Sequence, residues 1–222
     1  MKLSHLVLFI VLFLAGCACC APSVHAEIFR WQDPNTGLQT NYPDTWGRIH
    51  NQKPDDLLTV TAPSPTDHAT CRLRVRDDNR FAITPVSHAG AIQKTEFLGK
   101  FWNRYLNEYD DVTLHGIRED GALGRGYASY IEASYTPTIG PKATKRALIG
   151  ATLYYNKVYI YECSSTESTF HRWSPAFTQI LKSITFPKIL HGHPNGEYRW
   201  FTGDDTTLIK HTGPHPADLY AQ

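Results

Sequence analysis

The feature that most constrains the fold of this chain is its hydrophobic period, which changes twice along the sequence. Apolar residues in most of the segment 28–186 recur at every second position, as they do in half-buried strands. Two stretches switch to helical spacing. Phe97, Leu98, Phe101, Trp102, Tyr105, Leu106 and Tyr109 form one broad stripe within 93–109, and Phe170, Trp173, Phe177, Ile180 and Leu181 form a second. Strands are expected at 28–32, 38–42, 57–62, 71–76, 112–118, 126–135, 146–154 and 158–163, with a last one at 183–186. Asp33-Pro34-Asn35-Thr36-Gly37 is a turn between the first two, since Pro34 presets φ and Gly37 accepts the positive φ that ends it. The polar stretch 47–56 reads as a loop. Pro175 falls inside the second helical stripe, so that helix either starts at Ser174 or is kinked. Strands that come mostly as hairpins, with two helices inserted, predict an α+β domain: an antiparallel β-sheet covered by two long amphipathic helices.

Three segments give this pattern a family likeness. They are Tyr42-Pro43-Asp44-Thr45-Trp46 after the first hairpin, the helix around 97–109, and the ending Phe170…Pro175-Ala176-Phe177…Ile180-Leu181-Lys182-Ser183-Ile184-Thr185-Phe186. On these the chain resembles the PsbP-like superfamily, which includes photosystem extrinsic subunits, Ran-binding Mog proteins and DcrB-type envelope lipoproteins. The resemblance covers about residues 28–186. It implies a PsbP-like α/β/α sandwich acting as a non-enzymatic adaptor or accessory protein. It carries over no binding residue and no metal site, because no ligand motif matches.

The first 26 residues read as an address. Lys2 precedes an apolar run, 6–15, which is the pattern of a secretory signal. As a helix that run would span only ~15 Å, about half the hydrocarbon core. Two processing routes are open. Leu14-Ala15-Gly16-Cys17 is a lipobox that would make Cys17 the lipidated N-terminus, and it is favoured because it sits directly at the end of the apolar run. Val24-His25-Ala26 fits cleavage after Ala26 by an ordinary signal peptidase. Either route predicts an exported protein, periplasmic and either lipid-anchored or free. The domain then occupies 27–187, and 188–222 forms a C-terminal β-hairpin and tail.

Beyond the signal segment only Cys71 and Cys163 remain. Outside the cytoplasm they are expected to form a disulfide closing a loop of about 90 residues, worth ~4 kcal/mol. The whole chain has 22 basic and 21 acidic residues, and removing the signal takes away one Lys and no acid. The balance that remains argues against nucleic acid as a partner and against charge-driven recruitment to anionic lipid. A membrane contact therefore depends on the lipid at Cys17. With 41% hydrophobic residues, a packed core is expected rather than disorder.

Catalytic patterns are missing: there is no Gly-x-Ser-x-Gly elbow, His-Glu-x-x-His pair, Walker loop or dinucleotide fingerprint. No catalytic residue and no cofactor is predicted, with an unrecognised periplasmic enzyme kept as an alternative. Asp33-x-Asn35-x-Gly37 echoes half a calcium loop but lacks the later acidic ligand. Arg72, Arg74 and Arg76 alternate with Cys71, Leu73 and Val75, and are read as the solvated face of a strand, paired with neighbouring Asp and Glu. His191, His193, His211 and His215 offer an alternative function as a metal-binding or metal-delivery module for copper, zinc or nickel, though no carboxylate or thiolate completes a set. In the C-terminal hairpin, Tyr198, Trp200 and Phe201 are the candidate contact for an envelope protein partner, because exposed aromatics anchor interfaces. The sequence thus predicts an exported, envelope-associated binding protein.

Overall fold

The structure is a computed structural model and describes residues 27–50, 53–78, 99–124, 126–154 and 157–187. Among the described residues five strands come before a helix: β1 (Ile28–Gln32), β2 (Gln39–Pro43), β3 (Gly47–Ile49), β4 (Asp56–Thr61) and β5 (Thr70–Asp77). Helix α1 (Gly99–Leu106) follows, then β6 (Asp110–Leu123), β7 (Gly126–Thr136), β8 (Lys145–Tyr154) and β9 (Lys157–Thr166). A single 3₁₀ turn leads into α2 (Phe170–Lys182). Seven strands form one sheet in the order β3-β4-β5-β9-β8-β7-β6, every neighbouring pair antiparallel, while β1 and β2 form a separate two-stranded ribbon. The expected α+β class and antiparallel sheet are therefore present.

Alternation along β9 shows how the two faces are filled. Tyr159, Tyr161 and Cys163 point into a core shared with α2 and the β1–β2 ribbon. Val158 and Ile160 point into a second core beneath α1, built on Trp102, Tyr105 and Leu106. Every second residue serves one layer, so both faces of the central strands are apolar and β8 and β9 are buried almost throughout. Trp46 explains the Tyr-Pro-Asp-Thr-Trp segment. A turn brings its N–H to the Pro43 carbonyl at 2.9 Å. Its indole then packs edge-on against Trp173 and Phe177 of α2, with centroids 5.7 and 6.3 Å away. At the first hairpin, Gly37 adopts φ +69° while the Asp33 carboxylate accepts from the Thr36 N–H at 2.8 Å, as the turn reading required.

The structure corrects several boundaries. The expected loop 47–56 contains β3, a three-residue strand paired with β4. The expected strand 183–186 is reduced to one bridge, in which Thr185 exchanges both backbone hydrogen bonds with Gln39. Helix α2 begins at Phe170 and carries Pro175 inside it. The missing Pro175 N–H would have met the His171 carbonyl, and the Ser174 hydroxyl donates to that oxygen instead, at 3.4 Å. The described part of α1 is eight residues long, and 93–98 lie outside the described residues. So do the signal segment with Cys17 and the C-terminal segment 188–222.

Candidate functional site

Antiparallel pairing sets Cys71 opposite Cys163, and the two form a disulfide as expected from the sequence. The same register sets Arg72 opposite Glu162 on the other face of the sheet, where α1 and the residues after it lie. Arg72, Arg74 and Arg76 therefore project under a lid of helix. The reading of a solvated stripe is corrected here: Arg74 is 2% exposed and Arg72 is mostly buried, with only Arg76 substantially open. The pairing with neighbouring carboxylates does hold. Arg74 bridges Asp55 (Nη2 to Oδ2, 2.8 Å) and Glu108 (Nη1 to Oε2, 3.1 Å) and lies over the Tyr105 ring. Arg76 reaches the same two carboxylates at 2.6 and 3.0 Å, and Lys53 Nζ meets Glu108 at 2.6 Å.

Glu162 is the centre of the arrangement. Its carboxylate, 5% exposed, accepts hydrogen bonds from the hydroxyls of Tyr105 (2.5 Å), Tyr109 (2.9 Å) and Tyr135, and from Arg72 Nη2 at 3.2 Å. Burial alone would push a carboxyl up. The Arg72 charge and the three phenolic donors outweigh it and hold Glu162 down at about 2. Burial, together with the Glu162 charge, pushes the three tyrosines well above their ordinary value, so they remain neutral donors. Arg72 also donates to the Tyr109 hydroxyl at 2.8 Å. A buried carboxylate with four donors is satisfied and rigid.

Beside this cluster, at the end of the sheet beyond the C-terminus of α1, opens a cavity of about 460 Å³. Arg72, Glu162, Tyr109 and Tyr135 form its floor, and residues 137–143 of the β7–β8 connection with Lys145 form one wall. Tyr109, half-buried, stacks at 4.0 Å on the buried ring of Tyr135 and gives the floor its aromatic surface. Reading the sequence alone missed Glu162, Lys145, Tyr109 and Tyr135 as site residues. A signal for Glu162 was present: pairing Cys71 with Cys163 in antiparallel strands makes Arg72 and Glu162 neighbours.

Elsewhere, His115 Nε2 lies 2.6 Å from Ser134 Oγ, which donates to Glu167 at 3.0 Å. The hydroxyl is the middle member and its proton goes to the carboxylate, so the imidazole meets it as a donor. A serine nucleophile requires the imidazole in the middle, accepting that proton. The candidate contact residues Tyr198, Trp200 and Phe201, and the candidate metal ligands His191, His193, His211 and His215, lie outside the described residues. Among the described residues no group of three or more His, Cys, Asp or Glu is placed to hold a metal ion, and no helix is long and apolar enough to cross a membrane.

The chain is thus an α+β domain whose helix-covered face holds a charged cluster and a cavity. No protein-family model and no curated protein sequence matches it. Among solved structures it is similar to cyanobacterial PsbP from Synechocystis, at 14% identity over 78% of this chain and 99% of that one, with a TM-score of 0.48. It is also similar to LpqN of Mycobacterium tuberculosis, described as involved in cell envelope biogenesis: 12% identity, 73% and 92% coverage, TM-score 0.45. A third is the Saccharomyces cerevisiae Ran-binding protein Mog1p: 6% identity, 75% and 100% coverage, TM-score 0.46. The likeness to PsbP-like proteins noted in the sequence is thus met again among solved structures, as a similarity of chain path at TM-scores below 0.5. These are likenesses of chain path, and they assign no activity and no partner to this chain.

Proposed function

We propose that this chain is an exported, envelope-associated accessory protein that acts by non-covalent binding. The observation that carries this reading is the way the charged groups beside the cavity are fixed by one another. Glu162 is held by three tyrosines and Arg72, and Glu108 by Lys53, Arg74 and Arg76. Groups held in this way offer a preorganised surface for holding a ligand or partner. Groups poised for proton transfer need the opposite, a pKa brought near the working pH. The signal pattern in 1–26 supports export, and the Cys71–Cys163 disulfide suits an oxidising compartment. Lipidation at Cys17 would tether the domain to a membrane.

The C-terminal aromatics Tyr198, Trp200 and Phe201 are the proposed contact with an envelope protein. The test is a pull-down from envelope extract with the full chain and with a triple Tyr198→Ala, Trp200→Ala, Phe201→Ala variant. The expected result is a protein captured by the first and lost with the second. Identical capture by both removes these residues from the contact.

A further inference from the structure

The cavity beside Glu162 contains one charged group that the ion network leaves over. Lys145 opens β8 with its side chain half-buried in the cavity wall, and its Nζ reaches the His68 carbonyl at 3.4 Å. Among the described residues no carboxylate lies within ion-pair distance of it, whereas Lys53 and Arg72, which also line the cavity, are matched by Glu108 and Glu162. Burial lowers the Lys145 pKa; the Glu162 charge nearby opposes that effect and the Arg72 charge adds to it. A cation placed in this way gains most from a negative charge brought in from outside.

The rest of the lining combines polar side chains, Thr59, Thr70, Thr138, Ser164 and His68, with an apolar part. The stacked rings of Tyr109 and Tyr135 lie on one side, Ile49 and Pro137 line it further along, and Ile139 stands 81% exposed at the mouth. An exposed isoleucine above an aromatic floor offers a path for a hydrocarbon body. The volume of about 460 Å³ is that of a small-molecule site. The lining has three cations, Lys53, Arg72 and Lys145, and two carboxylates, Glu108 and Glu162, so a single added negative charge is neutralised there. The second charge of a dianion such as a phosphate monoester would find no further unmatched cation among the described lining residues.

We propose that this cavity binds an amphiphilic monocarboxylate, its head group at Lys145 and its apolar body along Tyr109, Tyr135 and Ile49. The proposal uses no residue of the proposed C-terminal partner contact, so either can fail without the other. Isothermal titration calorimetry of the purified full chain tests it, with decanoate, decanol and decyl phosphate as probes, all below micelle-forming concentration. Decanoate is expected to bind saturably at one site, at least about tenfold tighter than decanol or decyl phosphate. Lys145→Met is expected to weaken decanoate about tenfold or more without changing decanol, and Lys145→Arg to restore it. No saturable decanoate binding overturns the proposal, as does equal binding of decanol or decyl phosphate. So does a folded Lys145→Met that binds decanoate as well as the unaltered chain. If that variant does not fold, the comparison of head groups on the unaltered chain decides.

Discussion

Glu162 shows what one residue does for the charged face of the sheet. Its folded-state pKa of about 2 lies below the ordinary 4.5, because Arg72 and three tyrosines stabilise the ionised form more than burial penalises it. A depressed carboxyl pKa contributes stability that is fully present above about pH 4.5 and is lost as pH falls towards about 2. The contribution is on the order of 3 kcal/mol. Glu162→Gln is therefore expected to lower the denaturation midpoint at neutral pH, and the gap from the unaltered protein should close as pH falls to about 2. Urea melts across that range measure it. A gap constant with pH would mean that the charge on Glu162 is not what stabilises the cluster. Glu108, also lowered to about 2, remains in both proteins and so cancels in the difference. At this scale the sequence was half legible. The alternation of Arg72, Arg74 and Arg76 gives the face they share, and the disulfide gives their register with Glu162. Nothing within 71–76 says that Tyr105, Glu108 and Tyr109 come down over that face from another element, and that covering is what turned a solvated stripe into a buried cluster.

Among the elements, the long periodic ones were the most legible and the short ones the least. Strands β5, β7, β8 and β9 and helix α2 each repeat their period often enough to be recognised. Gly47-Arg48-Ile49 is too short to show one, and becomes a strand because it pairs along β4. Residues 183–186 looked like a strand by composition, but they run past the β1–β2 ribbon and pair only once. Pro175 left open a helix start at Ser174 or a kinked helix, and the helix starts at Phe170 because Phe170 and Phe177 must both reach the core, and burying them outweighs one lost backbone bond. Phe177 is fully buried between α2 and Trp46. Phe177→Ala is expected to destabilise the domain by about 3–5 kcal/mol, read from the shift in urea midpoint. A change below about 1 kcal/mol would mean that α2 is not seated on this core.

The described residues form a sheet with a core on each face, and the Cys71–Cys163 link crosses β5 to β9 at its centre, over a sequence separation of 92. Holding a loop of that length closed in the unfolded chain is worth ~4 kcal/mol. Reduction is therefore expected to lower the melting temperature by several degrees while leaving the far-ultraviolet spectrum native below the transition. An unchanged melting temperature would remove the disulfide from the sources of stability. Such a link persists only where thiols are oxidised, which ties the stability of the fold to the address read in the first 26 residues. The proposed binding at an envelope depends on both. Intact-mass spectrometry of the chain recovered from the envelope fraction tests them together. The expected mass begins at a diacylglyceryl-modified Cys17, or at Glu27 if cleavage follows Ala26, and is two hydrogens short for the Cys71–Cys163 bond. A chain that still begins at Met1 with both thiols reduced contradicts the account.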